Sequence, residues 1–223
     1  MHAHPRNKVR RVAQRGHYDQ ASIHAILDAG WIAHVSFADG GGQPFVIPML
    51  YVREGDVLYL HGSIASRLLK SLGEGIDTCL CVTLIDGMVL ARSHFHHSMN
   101  YRSVVAFGKA VAVADTSEKA AILVRFVDAM LPGRAAEARP ADDNEINATA
   151  LLRVQIEDAS AKVRNGGPKD DPADRALPIW SGVIPLALSS GEPIAADDAT
   201  PGLALPDSVR KFSARWSRQL GGS

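Results

Sequence analysis

The chain has 223 residues, 24 Lys plus Arg against 24 Asp plus Glu, and a 46% hydrophobic composition. At roughly 150 residues per domain that means one domain with an appendage, long enough to bury a core without staples. Zero formal net charge argues against a dedicated nucleic-acid binder, but leaves room for one small anion in a local basic pocket.

The opening Met1-His-Ala-His-Pro-Arg-Asn-Lys8 has charge and no apolar stretch behind it, so no signal peptide is expected. No apolar run nears the roughly 20 residues of a membrane span. From Asp19 to Gly30 the pattern is helical, with Asp19 as cap, Ile23, Ile26 and Leu27 on one face, and Gly30 as stop. The period then changes to two, and Trp31, Ala33, Val35 and Phe37 form the apolar face of a half-buried strand. Asp39-Gly-Gly-Gly-Gln43 is turn chemistry. A second strand, Phe45 to Val52, contains Pro48, which marks an edge, a bulge or a backbone turned toward something else.

A third strand follows over Val57–His61, then a short helix from Ile64 to about Leu72 with Ser63 available as its cap. Thr78 to Ile85 and Met88 to Ser93 read as strands joined by a hairpin at Asp86-Gly87. Cys79 and Cys81 fall on one face of the first, unsuited to bridging each other, so they read as small core residues in a reducing cytoplasm. Ser103 to Val113 and Leu151 to Ile156 bring the count to about seven strands, with a helix from about Ser117 to Met130 between them. Hairpins with few helices imply an antiparallel barrel. The domain is placed at residues 1–205, followed by a tail at 206–223 with a short terminal helix over Ser208–Leu220.

Two segments have the residue types for chemistry. In His61-Gly-Ser-Ile-Ala-Ser-Arg-Leu-Leu-Lys70 a strand ends, Gly62 admits a close neighbour, and Ser66, Arg67 and Lys70 gather at a helix start. This reads either as a phosphate site or as a capped helix with basic residues in water. In Ser93-His-Phe-His-His-Ser-Met-Asn-Tyr-Arg-Ser103, His94 and His96 would share a face if extended, with His97 opposite. The alternatives are two metal ligands or loop caps, and no metal site is assigned. Asn100, Tyr101, Arg102 and Ser103 suit either a polar ligand edge or the anchoring of a long loop. Gly-x-x-x-x-Gly-Lys, Gly-x-Gly-x-x-Gly at a helix start and Gly-x-Ser-x-Gly are all absent.

Taken in order, Arg15-Gly-His-Tyr-Asp19, Gln43-Pro-Phe-Val-Ile-Pro48, Leu58-Tyr-Leu-His-Gly-Ser63 with Ser66-Arg67, Phe95-His-His-Ser-Met-Asn-Tyr-Arg-Ser103, Ser160-Ala-Lys-Val-Arg164 and Pro178-Ile-Trp-Ser-Gly-Val-Ile-Pro185 form a specific set. With them the chain resembles the pyridoxamine 5′-phosphate oxidase-like family, in its flavin-nucleotide-binding and nitroimidazole-resistance branch, over about Arg10 to Leu205. The resemblance implies a mainly β chain, an antiparallel split β-barrel of the FMN-binding type with few short helices. It also implies a homodimer with FMN at the interface, and FAD or a deazaflavin as the other flavins to weigh. By position, Val46, Ile47, Pro48 and Met49 would meet the isoalloxazine, and His61, Gly62 and Ser63 the ribityl chain. Ser66, Arg67 and Lys70 would hold the phosphate, Asn100, Tyr101, Arg102 and Ser103 would touch the flavin across or beside the interface, and Trp180 would cover it.

Trp180-Ser-Gly-Val-Ile-Pro185 departs from the Arg-containing C-terminal signature of authentic pyridoxamine phosphate oxidases, so the resemblance does not extend to vitamin B6 oxidation. The expected function is oxidoreduction of a small molecule through a flavin, flavin reductase or nitroreductase-like, with His61 and Tyr101 as candidate proton-exchanging groups. The alternatives are a non-catalytic flavin-nucleotide carrier or sensor, and a haem or metal protein using His94, His96 and His97. No nucleic acid or membrane partner is expected.

Overall fold

A computed structural model describes residues 4–217; the side chains of Arg67, Leu68 and Ser217 lie outside the described set. In chain order the elements of the first compact unit are β1 (Gly16–His17), α1 (Gln20–Ala29), β2 (Ile32–Ala38), β3 (Pro44–Glu54), β4 (Val57–Ser63), α2 (Arg67–Gly73), β5 (Glu74–Leu90) and β6 (Ser98–Ala112). The second unit interrupts here with α3 (Thr116–Met130) and α4 (Asp143–Ala148). The first resumes with β7 (Thr149–Gln155), β8 (Asp158–Arg164) and β9 (Gly182–Pro185), and α5 (Asp207–Ser217) belongs again to the second.

All pairings are antiparallel, and the ladders run β2–β3–β4–β7–β6–β5 and back to β2, a closed ring of six strands. β8 and β1 extend the sheet beyond β6, and β9 lies along β5. Closure removes most of the free edges an open sheet would present, leaving those of β1, β9 and the first half of β3. Ala33 and Val35 of β2, Leu58 and Leu60 of β4, Leu80 and Val82 of β5, Val104 and Ala106 of β6, and Leu152 and Val154 of β7 form the core. Each fully buried Leu contributes about 2 kcal/mol. The expected α1 is present: the Asp19 carboxylate accepts the Ser22 amide at 2.8 Å, and Ile23, Ile26 and Leu27 join the core. Its end is fixed at Gly30, where a Cβ would come within 2.6 Å of Val82.

Three local expectations change. Asp86-Gly87 is a bulge inside one continuous strand, not a hairpin. Gly87 does not take the positive φ of a two-residue turn, and a Cβ there would lie 3.0 Å from the Ile184 carbonyl oxygen, because β9 runs against it. Cys79 and Cys81 are free thiols on the half-buried face of β5, while Thr78, Leu80 and Val82 take the buried face. Ser66, not Ser63, caps α2, accepting the Leu69 amide at 3.4 Å; the Ser63 hydroxyl accepts the Ala65 amide at 3.1 Å.

In the second unit, Asp115 caps α3 by accepting the Glu118 amide at 2.7 Å, and Ile122 and Phe126 are its buried residues. Ser208, at the first turn of α5, donates from its amide to Glu137 at 3.1 Å and also through its hydroxyl. Residues 218–220 of the expected terminal helix lie outside the described residues. Among the described residues no helix is long and apolar enough to cross a membrane.

Candidate functional site

The expected site residues fall into two groups, both in the first unit. The first surrounds a parting between β3 and β4. Their ladder ends at Tyr51–Leu60; beyond it β3 continues with β2 alone, and β4 continues with β7 through Ser63–Thr149. The Tyr51 amide donates to the Trp31 carbonyl, so odd residues of β3 bond toward β2 and even ones turn toward the parting. Pro48 falls on that even set, where its missing N–H costs no ladder bond. Of the three meanings its position could have, an edge is the one realised. Val46 stands 61% exposed on the same side, and Phe45 stacks on Phe37 with centroids 5.3 Å apart.

His61, Gly62 and Ser63 end β4 across the parting, and α2 follows with exposed Lys70 in its last turn. The neighbour admitted by Gly62 is Leu69 of α2, whose Cδ1 lies 2.7 Å from the position of a Cβ. The expectation at Arg67 falls on a side chain outside the described residues. Burial holds the His61 imidazole below its usual pKa, so it is neutral near pH 7.

The second group lies on β5, β6, β8 and β9. Arg102 is held by Asp86 in a bidentate pair at 2.9 and 2.6 Å, which raises its pKa and neutralises its charge locally. Asn100 is buried, donating to the Gly166 carbonyl at 3.1 Å and accepting from Arg164. The Ser103 hydroxyl donates to the Lys162 carbonyl at 3.4 Å. Of these four residues, Tyr101 is the one with no side-chain hydrogen bond among the described residues. Trp180 is 65% exposed, so within one chain it is no buried anchor; its ring lies against Gly182.

β6 lies three strands from β3 across the sheet, roughly 14 Å at 4.8 Å per strand. One chain therefore keeps the two groups apart. The histidines also differ from the extended reading: His94–His96 is a single 3-10 turn. Among the described residues no group of three or more His, Cys, Asp or Glu is placed to hold a metal ion.

Sequence reasoning missed Arg164, only 6% exposed, which donates to Asn100 and to the carbonyls of Gly166 and Gly167, both at 3.2 Å. Its pKa is lowered by desolvation first and by Arg15 second, and no carboxylate pairs with it among the described residues. Ala159, Ala161 and Val163 alternate along β8, but that period groups Arg164 with Asp158 and Lys162 on the polar face, so no local signal marks its burial.

A family model described as pyridoxamine 5′-phosphate oxidase matches residues 19–163. No curated protein matches the chain. Among solved structures, the flavocytochrome Anf3 from Azotobacter vinelandii is 42% identical, with 94% of this chain and 97% of that one covered and a TM-score of 0.87. An FAD and haem binding protein from Mycobacterium smegmatis is 36% identical over 89% of this chain and 97% of its own, with a TM-score of 0.85. A candidate 5-nitroimidazole antibiotic resistance protein from Bacteroides thetaiotaomicron shares the fold at 23% identity, covering 66% and 87% of the two chains with a TM-score of 0.56.

Proposed function

The chain belongs to the pyridoxamine 5′-phosphate oxidase family, whose flavin-binding split-barrel fold it has, and from that premise we propose that it is a flavin- and haem-binding oxidoreductase. The observation that carries this reading is the likeness, over nearly the full length of each chain, to two proteins named for a flavin and a haem together. FMN was the narrower expectation. The FAD named for the mycobacterial relative makes the dinucleotide the form assigned here. A bound flavin supplies hydride or electron transfer at its N5 position; the protein's part is to bind and orient it.

The local structure fits such a group. The even residues of β3, Val46 and Pro48 among them, turn their backbone groups toward the parting, and the Val46 side chain stands exposed on the sheet face there. His61–Ser63, Ser66, Arg67 and Lys70 are assigned to the ribityl phosphate. The second group, Tyr101 and Trp180 above all, is assigned to the flavin of a partner copy. The separation of the groups within one chain supports a homodimer with each site shared, since Trp180 is otherwise left exposed. His61, neutral by burial, and Tyr101 remain the proton-exchanging candidates. The free thiols of Cys79 and Cys81 are in keeping with a reducing cytoplasm.

The decisive experiment is the absorbance spectrum of the purified protein with mass analysis of what denaturation releases. Flavin with haem is expected; a chain that takes up neither refutes the reading. Arg67→Ala should weaken flavin binding by about 1.5–3 kcal/mol, the scale of a charged hydrogen bond. An unchanged dissociation constant in fluorescence titration would remove Arg67 from the site. Sedimentation of a flavin-loaded monomer would contradict the shared site. Should bound flavin not speed NAD(P)H oxidation beyond free flavin, the carrier reading replaces the enzymatic one.

A further inference from the structure

We infer that His97 is the axial ligand of the haem and that the cationic cleft beside it, lined by Arg92, Lys169 and Arg175, receives the haem carboxylates; this rests on the haem-binding reading above. Such a ligand demands three things together: an imidazole lone pair, apolar faces for the macrocycle, and positive charge for two carboxylates.

The lone pair is identified by hydrogen bonding. His97 Nδ1 lies 2.9 Å from the Ser93 carbonyl oxygen, which can only accept, so Nδ1 carries the proton and Nε2 keeps its lone pair. Orientation of a ligating ring through its other nitrogen is the usual arrangement at metal sites. His97 is exposed, so Nε2 can be reached. Two other histidines are committed. His24 has Asp56 at 2.8 Å and Arg53 at 3.2 Å on its two nitrogens, and His96 Nε2 faces Asp171 at 3.3 Å.

An apolar face belongs to this turn itself: Phe95 is 89% exposed, a large aromatic ring that folding alone would bury, and it stands edge-on to His96 with centroids 5.2 Å apart. The charge comes from a cleft of about 620 Å³ beside the turn. Arg92 there is held by Asp170 at 2.5 Å and reaches the Ser181 hydroxyl at 2.5 Å, which fixes the wall. Lys169 and Arg175 have no ion-pair partner among the described residues, leaving two surplus positive charges for two carboxylates. The Arg92–Asp170 and His96–Asp171 pairs tie the histidine turn to this cleft.

The full-length protein is purified, its flavin and haem are quantified, and haemin is titrated while the Soret band is followed. His97→Ala should lower haem content at least tenfold, since losing a ligand costs no less than the 10–100-fold that losing a ligand's hydrogen-bonding partner costs, and leave flavin in place. Added imidazole should restore the band, while His94→Ala should leave it unchanged. Lys169→Glu with Arg175→Glu should weaken haemin binding about tenfold without moving the band, a loss of charge rather than of the ligand. If His97→Ala loses flavin as well, His97→Gln decides: rescue of its Soret band by imidazole supports the assignment and failure overturns it. An unaltered band and haem content in His97→Ala overturn the inference while the function stands. A wild-type protein that binds flavin but no haemin overturns the haem reading and this inference with it.

Discussion

The two groups of site residues are built on opposite plans. Around the β3–β4 parting, binding capacity comes from what the fold leaves open: a strand edge, an exposed Val46, and the start of a seven-residue helix. On β5, β6 and β8 the polar side chains are already engaged, Arg102 by Asp86 and Asn100 by Arg164 and Gly166. In the proposed site, a planar ligand entering the first group would gain hydrogen bonds that the chain lacks. At the second it would meet a surface whose shape is set beforehand, so that group would contribute positioning more than affinity.

The contrast breaks most visibly at Arg164. Arg164→Met would leave the Asn100 amide oxygen and the Gly167 carbonyl without their donor, while the Gly166 carbonyl keeps the Asn100 amide, costing about 3 kcal/mol in urea unfolding. Val46→Ala, on the open side, should stay within about 0.5 kcal/mol, as exposed substitutions do. Equal losses in the two variants would erase the distinction. Burial of an unpaired guanidinium makes the Arg164 figure a difference of opposing effects, so a much smaller loss would mean that desolvation nearly cancels its three bonds.

Glycines sharpen the comparison on a smaller scale. Gly87→Ala presses on the backbone of β9 and should cost about 2 kcal/mol, with faster amide exchange at Gly182–Pro185. Gly62→Ala presses only on the end of the Leu69 side chain, which can rotate, and should cost about 1 kcal/mol. The reverse order would place the rigid element at the parting instead.

Much of the barrel was legible because its inner strands alternate cleanly: Ala33, Val35 and Phe37 are buried where period two put them. β8 was not legible because it is built from small and charged residues with little strand preference, and β9 because Val183 and Ile184 form only a four-residue stretch between Gly182 and Pro185, which becomes a strand through its pairing with β5. Asp86-Gly87 misled for a related reason. The dipeptide permits a tight turn, but tertiary pairing with Arg102 and β9 decides for a bulge. At the site, residue types were readable in Ser66 and Lys70, whereas the commitment of Asn100 and Arg102 to the chain's own partners depends on Arg164 and Asp86. No local pattern links those pairs.

The smallest effect concerns protonation at the parting. Burial lowers the pKa of His61 below the 6.5 it has when unfolded. Above that value the ring is neutral in both states and adds no pH dependence. As pH falls through 6.5 the unfolded chain takes the proton first, so stability declines until the native pKa is reached and then levels off. Urea midpoints measured from about pH 8 to 5 should therefore fall more steeply for the wild type than for His61→Gln. Neutral His61 also keeps positive charge at the parting confined to the α2 side, where the flavin phosphate is assigned. Parallel slopes for the two proteins would mean that His61 titrates normally, which would add a further cation to the parting in mild acid.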